Sequence, residues 1–210
     1  MRSDTLVLGF DTSAASCAAA LVRGTSVLAA RSEDMAKGQT ERLIPLLEEL
    51  MAEAGLGWRD LDAIGVGTGP GNFTGVRIAV AGARGLALGL DIPAIGVSTF
   101  EALAHDTPRP VAVVLDARRE EAYVQRFTAE TDETPQILPV TALAAALQGT
   151  PVIGLAPPGA PAVAPRHPLA EAIALVAAGK LQTEQPRPAP LYLRGADAAP
   201  PSDPPPVILD

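Results

Sequence analysis

The sequence predicts a two-lobed α/β protein whose second lobe is smaller than the first. Three observations carry that expectation. The first half reads as three short apolar strands and then helix, strand, helix, strand, helix. After Pro108-Arg109-Pro110 the pattern starts again with two strands. Within the first half, the run from Gly65 to Arg77 reads as a buried strand, a tight glycine-rich corner and the start of a long helix.

Taken in order, residues 5–10 alternate and turn at Asp11-Thr12-Ser13, and residues 17–22 and 26–31 follow as apolar runs around a turn at Gly24. Three consecutive strands in a meander are the natural reading. Leu43, Leu46, Leu47, Leu50, Met51 and Ala54 then recur at spacings of three and four, one stripe of a helix that ends near Gly55. Pro45 either opens that helix or interrupts one begun near Gln39. Residues 63–67 read as a fourth strand, 74–90 as a second helix and 94–97 as a fifth strand, with a third helix starting at Ser98. This order is that of a ribonuclease-H-like lobe. Two such lobes in tandem make the actin/Hsp70/sugar-kinase (ASKHA) architecture, which holds nucleotide between them. In the second half, 111–115, 122–127 and 152–155 read as strands and 169–178 as a helix ending at Gly179. Residues 156–168, rich in Pro and Ala, read as an irregular connection too short for a full second lobe. The expected division is an N-terminal lobe over 1–107, a reduced C-terminal lobe over 108–195, and a Pro-rich, disordered tail over 196–210.

A chain of 210 residues can bury a sizeable core. With 48% hydrophobic but only 3% aromatic residues, that core must be built from Ala, Val, Leu and Ile. The formal charge of −8 argues against this chain gripping a nucleic-acid backbone by itself, which needs clustered Lys and Arg. Cys17, the only cysteine, sits in an apolar run, so a buried structural thiol is expected and no intramolecular disulfide can form. The N-terminus enters a strand with no export leader. Helix 74–90 is apolar but interrupted by Arg77, Arg84 and glycines, and short for a span. A cytoplasmic protein without membrane contact is expected.

The glycine corner offers one candidate binding surface. Gly67, Gly69 and Gly71 let an anion or another backbone approach closely, and Thr74 reads as an N-cap with free amides beside it. No Lys follows, so this is not a P-loop, and the spacing fails G-x-G-x-x-G. Asp11-Thr12-Ser13 sits where the first hairpin of this superfamily approaches phosphate, although Asp-Thr-Ser is equally an ordinary turn that bonds its own backbone. Asp11, Thr12, Ser13, Gly69 and Gly71 are the candidate phosphate contacts. Asp116 ends a strand in the corresponding place of the second half, beside Arg118 and Arg119. His105 and His167, far apart and without ligand-spaced companions, read as surface residues rather than metal ligands. No base is placed to activate Ser13 or Ser98, and Glu101, Glu120 and Glu121 read as solvated carboxylates.

Gly69-Pro70-Gly71-Asn72-Phe73-Thr74-Gly75-Val76-Arg77, Gly85-Leu86-Ala87-Leu88-Gly89 and Ile95-Gly96-Val97-Ser98-Thr99 together resemble the TsaB (YeaZ) family. Phe10-Asp11-Thr12-Ser13, Leu115-Asp116-Ala117-Arg118 and Pro190-Leu191-Tyr192-Leu193-Arg194 agree with it, in order, over nearly the whole chain.

The resemblance implies a paralogue of TsaD, the subunit that transfers a threonylcarbamoyl group to adenosine 37 of tRNA. TsaD binds its metal through two histidines four residues apart on the helix after a Gly-Val-Asn strand end. Thr99 and Leu103 stand at those positions in this chain, so no imidazole is supplied. The implied role is therefore an accessory subunit without catalytic residues, without a metal and without a required cofactor, ATP or ADP binding only weakly or within a complex. The implied partners are a TsaD-like catalytic subunit, a TsaE-like ATPase, and a second copy of the chain in isolation, with tRNA touched only indirectly. The two helices are the expected interface, through Leu43, Leu46, Leu47, Leu50 and Met51 on one and the small-residue row Gly75, Ala79, Ala83 and Ala87 on the other. The alternatives are a small nucleotide-dependent kinase or a metalloprotease-like hydrolase of the same superfamily, or a homodimer with a separate role.

Overall fold

The computed structural model describes residues 4–194. The tail expected over 196–210 lies outside the described residues. The three-strand meander forms as read: β1 (Leu6–Asp11), β2 (Ser16–Arg23) and β3 (Ser26–Asp34) pair antiparallel in sequence. Helix α1 (Gln39–Glu53) follows, then β4 (Ala63–Gly67), α2 (Phe73–Leu90), β5 (Ala94–Val97) and α3 (Thr99–Ala104). Strand β4 pairs parallel to β1, and β5 parallel to β4, giving the order β3-β2-β1-β4-β5. Pro45 lies inside α1, which begins at Gln39, and it is tolerated on the exposed face.

Alternation along β1 sends Leu6, Leu8 and Phe10 to one face of this sheet and Val7 to the other. The first face packs against Leu43, Leu46, Leu47 and Leu50 of α1 and Val76, Ala79, Val80 and Ala83 of α2, all buried. Each buried leucine contributes about 1.5–3 kcal/mol relative to exposure, so α1 is held by its stripe rather than by propensity.

The second sheet uses β6 (Val111–Arg118), β7 (Glu121–Phe127), β8 (Gln136–Pro139) and β9 (Val152–Gly154) in the order β8-β7-β6-β9. The meander β6-β7-β8 is antiparallel and β9 returns parallel to β6. This repeats β3-β2-β1-β4 of the first sheet and stops one strand short, which is the reduction that the sequence led one to expect. The helix inserted before the fourth strand shrinks as well, from α1 to the five-residue α4 (Leu143–Leu147), whose Leu143 and Leu147 pack on Ala112, Val114 and Val124. Neither β8 nor α4 stood out in the sequence, because one is four residues ending in proline and the other a little over one turn. The connection 156–168 is irregular, as expected, apart from a bridge between Val152 and Ala162.

Helix α5 (Leu169–Lys180) does not join the second sheet. It crosses back and covers the open face of the first, where Ile173, Ala174 and Ala177 meet Val7, Ala63, Ile95 and Val97. The close approach is set by two glycines. A Cβ on Gly9 would lie 2.6 Å from the Ala174 amide nitrogen, and one on Gly65 would lie 2.8 Å from the Ala177 Cβ. Glycine on the strands and alanine on the helix are complementary halves of one contact.

Candidate functional site

The first hairpin and the glycine corner meet, as the sequence suggested, but they satisfy each other. Asp11 is buried, and its Oδ1 accepts from the Ser13 amide at 2.8 Å and the Ser13 hydroxyl at 2.9 Å. Among the described residues its Oδ2 has no hydrogen-bond partner, and it rests on the Gly67 backbone, where a Cβ would lie 2.0 Å from it. Burial pushes the Asp11 carboxyl up, against the pull of the Ser13 bonds. The Thr12 hydroxyl donates to the Gly75 carbonyl at 2.6 Å, and the Ser13 carbonyl accepts from the Asn72 amide at 2.7 Å. Gly69, at φ +85°, turns the chain, and a Cβ on Gly71 would strike Ser13 at 2.8 Å. The ordinary-turn reading of Asp11-Thr12-Ser13 therefore describes this geometry.

Thr74 is not the N-cap of α2. Asn72 takes that position, and its side chain accepts from the Thr74 and Gly75 amides at 3.0 Å each. The amides that would have faced an anion are engaged by the chain's own side chain. In the second half, the Asp116 Oδ1 accepts from the Arg118 amide at 2.7 Å, and Arg118, Arg119 and Glu120 turn the hairpin with positive φ. Glu101 is not simply solvated: it closes a capping box with Ser98 and pairs with Lys180. Glu121 pairs with Arg194.

The interface residues named from the sequence need correction. Leu43, Leu46, Leu47, Leu50 and Met51 are all buried in the first core, as are Gly75, Ala79, Ala83 and Ala87. The small-residue row does permit close approach, but to this chain's own hairpin: a Cβ on Gly75 would lie 1.9 Å from the Thr12 carbonyl oxygen. What faces outward is the neighbouring row. Thr74, Ala81, Gly85 and Leu88 are exposed, with Ile78 and Gly82 half-buried, and Leu88 is 85% accessible. Beside it Ile44 of α1 and Phe73 of α2 are exposed, and a shallow apolar groove runs between the two helices over Leu43, Ile78 and Gly82. At its end the Arg77 guanidinium lies 3.6 Å from the Phe73 ring centroid and its Nε donates to the Tyr192 hydroxyl at 2.8 Å. Among the described residues, α2 is also the one helix long and apolar enough to cross a membrane by length and composition.

At the positions where the resemblance would put metal-binding histidines, the residues do not fit a metal. The Thr99 hydroxyl is buried and donates to the Pro70 carbonyl at 3.2 Å, and Leu103 packs into the second core. The histidines at 105 and 167 depart from expectation in the other direction. They are not isolated: their ring centroids lie 5.5 Å apart, with Asp106 between them. Burial lowers the tendency of His105 to protonate. Cys17 is buried as read, and burial pushes its thiol up to about 11, which removes it as a nucleophile.

Two sheets built on one repeated strand order, with helices between and around them, define an α/β protein of the actin/Hsp70/sugar-kinase class. Residues 32–192 match the family model described as TsaD, tRNA N6-adenosine threonylcarbamoyltransferase. The tRNA threonylcarbamoyladenosine biosynthesis protein TsaB of Haemophilus influenzae is 38% identical over 137 residues, covering 62% of this chain and 56% of that protein. An uncharacterised protein of Mycobacterium tuberculosis is 37% identical over 206 residues, 92% of this chain and 94% of that one. A crystal structure from Pseudomonas aeruginosa, described as similar to peptidase YeaZ, superposes with a TM-score of 0.73 at 28% identity over 90% of this chain and 100% of its own. The chain belongs to the TsaB/YeaZ family. Its match spans little more than half the length of the Haemophilus TsaB.

Proposed function

We propose that this chain is an accessory subunit in the formation of N6-threonylcarbamoyladenosine at position 37 of tRNA, with no transferase activity of its own. It holds a TsaD-like catalytic subunit in an active arrangement through the outward faces of α1 and α2, and a TsaE-like ATPase joins the complex. In isolation the same face pairs two copies of the chain. ATP or ADP binds weakly, or only within the complex, and tRNA is touched through the catalytic partner. The working place is the cytoplasm.

The observation that carries this reading is the uncovered apolar face around Ile44, Phe73, Ala81, Gly85 and Leu88 on two adjacent helices. Exposed apolar surface rimmed by polar residues marks contact sites, and small residues at 81, 82 and 85 admit a second helix closely. The biosynthetic role named for the TsaB relatives supports the pathway. The threonine and leucine at 99 and 103 support the accessory role.

The test is co-purification with the TsaD-like subunit of the same organism, followed by reconstitution of the modified nucleoside with the complete set of proteins. Ala81→Glu and Leu88→Glu put carboxylates on the exposed face without touching the core. They are expected to keep the circular dichroism of the parent, to halve its mass by light scattering, to lose the catalytic partner and to abolish modification. Folded variants that stay dimeric and still support modification would overturn the proposal.

A further inference from the structure

The metal-ligand positions of the catalytic relatives lie at the start of α3; a different cluster lies at its far end, about 9 Å along the axis. His105 caps the C-terminus of α3, Asp106 follows it at φ 56°, and His167 immediately precedes Pro168, the residue that caps the N-terminus of α5. Helices α3 and α5 pack side by side, and that contact brings together residues 61 apart in sequence. The His167 Nε2 lies 3.1 Å and the His105 Nε2 lies 3.6 Å from the same oxygen, Asp106 Oδ2. One ligand atom from each of the three residues falls within 4.8 Å of the others.

We propose that His105, Asp106 and His167 form a binding site for a divalent transition ion of the zinc class, clipping the end of α3 to the start of α5. The separations are those the chemistry needs. In a tetrahedral site with metal–ligand bonds near 2.0–2.1 Å, neighbouring donor atoms sit about 3.3 Å apart, and two of the three edges already have that length within a few tenths of an ångström. Two imidazoles and one carboxylate suit zinc, cobalt, nickel or copper and disfavour magnesium and calcium, which want oxygen shells. The imidazoles are half-buried while the Asp106 side chain is 63% accessible, so the open side of the cluster leaves a coordination position to water. The ion would tie α3, whose Phe100 belongs to the core of the second sheet, to α5, which belongs to the core of the first. This revises the expectation that the chain holds no metal, and it stands independently of the proposed interface.

The test uses the full chain, freed of any affinity tag and stripped with a chelator. Zinc chloride titrated calorimetrically is expected to bind at one equivalent with a micromolar or lower Kd and to raise the melting temperature. Cobalt substituted for zinc is expected to give the visible absorption of a tetrahedral nitrogen–oxygen site, and magnesium to do neither. His105→Ala and His167→Ala are each expected to weaken zinc at least tenfold while keeping the dichroism of the parent. Asp106→Asn keeps a hydrogen-bond partner for His167 and should weaken zinc as well, which a merely hydrogen-bonded cluster would not register. The absence of a zinc-dependent shift would overturn the proposal. So would one-equivalent binding that survives in the doubly substituted His105→Ala/His167→Ala chain.

Discussion

Glycine to alanine at two places on α2 should have opposite effects. At Gly85 a Cβ would meet nothing within 4 Å, and the residue sits exposed in the helix interior. Alanine there removes glycine's helix penalty, so Gly85→Ala should stabilise the monomer by about 0.5–1 kcal/mol. At Gly75 the added carbon would lie 1.9 Å from the Thr12 carbonyl oxygen, 2.8 Å from its carbon and 3.2 Å from the Ser13 Cα. Relief to even the tightest contacts that real side chains show requires a shift of at least about 1.1 Å between helix and hairpin. Both sides are backbone, so no rotamer change can absorb it. Overpacking of this kind costs about 1–3 kcal/mol, and loss of the Thr12–Gly75 hydrogen bond adds about 1 kcal/mol. The first-turn position of Gly75 returns only part of the helix gain. Gly75→Ala should therefore lose about 2 kcal/mol or more. For a chain of this size, each kcal/mol moves the melting temperature by about 2–4 °C, so the two variants should separate by roughly 5–12 °C. Urea and thermal unfolding followed by far-ultraviolet dichroism, at concentrations where the parent is monomeric, measure the free energies and the melting temperatures. Shifts in the same direction, or a Gly75→Ala chain as stable as the parent, would refute the packing argument.

Two further outcomes are expected. Asp11 has a raised folded-state pKa, so its contribution to stability is fully present below its unfolded value of 3.8 and is lost as pH rises through the folded value. Asp11→Asn keeps the Oδ1 that accepts from Ser13 and cannot ionise; its stability relative to the parent should improve from pH 4 to pH 8, and a constant difference across that range would contradict the assignment. The buried Thr107 hydroxyl has no hydrogen-bond partner among the described residues, so Thr107→Val should be neutral or stabilising by up to about 1 kcal/mol in the same denaturation assay; a loss of more than that would mean that the hydroxyl is satisfied.

Much of the first lobe was legible because its signals are local. The strands at 63–67 and 94–97 are short apolar runs bounded by turns, and they fall where the sequence put them. The leucine stripe of α1 states which face is buried. It does not state what buries it, and reading the stripe as an interface confused a covered face with a sticky one. The row at 75, 79, 83 and 87 is a related case: small residues announce a close neighbour without naming it; at Gly75 that neighbour is the Thr12 backbone, and Ala79, Ala83 and Ala87 are buried in the first core. Asn72 displaced Thr74 as cap because either side chain reaches the amides two or three residues on, and only backbone geometry chooses between them. His105 and His167 were beyond reach, since their meeting depends on α5 crossing to α3. A signal for that crossing was present in Gly9 and Gly65, strand glycines that an alanine-rich helix could fill.

The return of α5 also fixes an order of events during synthesis. Strands β1, β4 and β5 leave the ribosome long before Ile173, Ala174 and Ala177 exist. Until residue 180 has emerged, the face carrying Val7, Ala63, Ile95 and Val97 has no cover of its own, and the second sheet is translated in the interval. Between the emergence of β5 and that of α5 the nascent chain thus carries a water-facing apolar sheet, covered on one side only, which is the kind of surface that chaperones hold. A trigger of stalling between residues 110 and 168 would release a species in which that sheet is open. Helix α5 acts as the latch that ends this exposure.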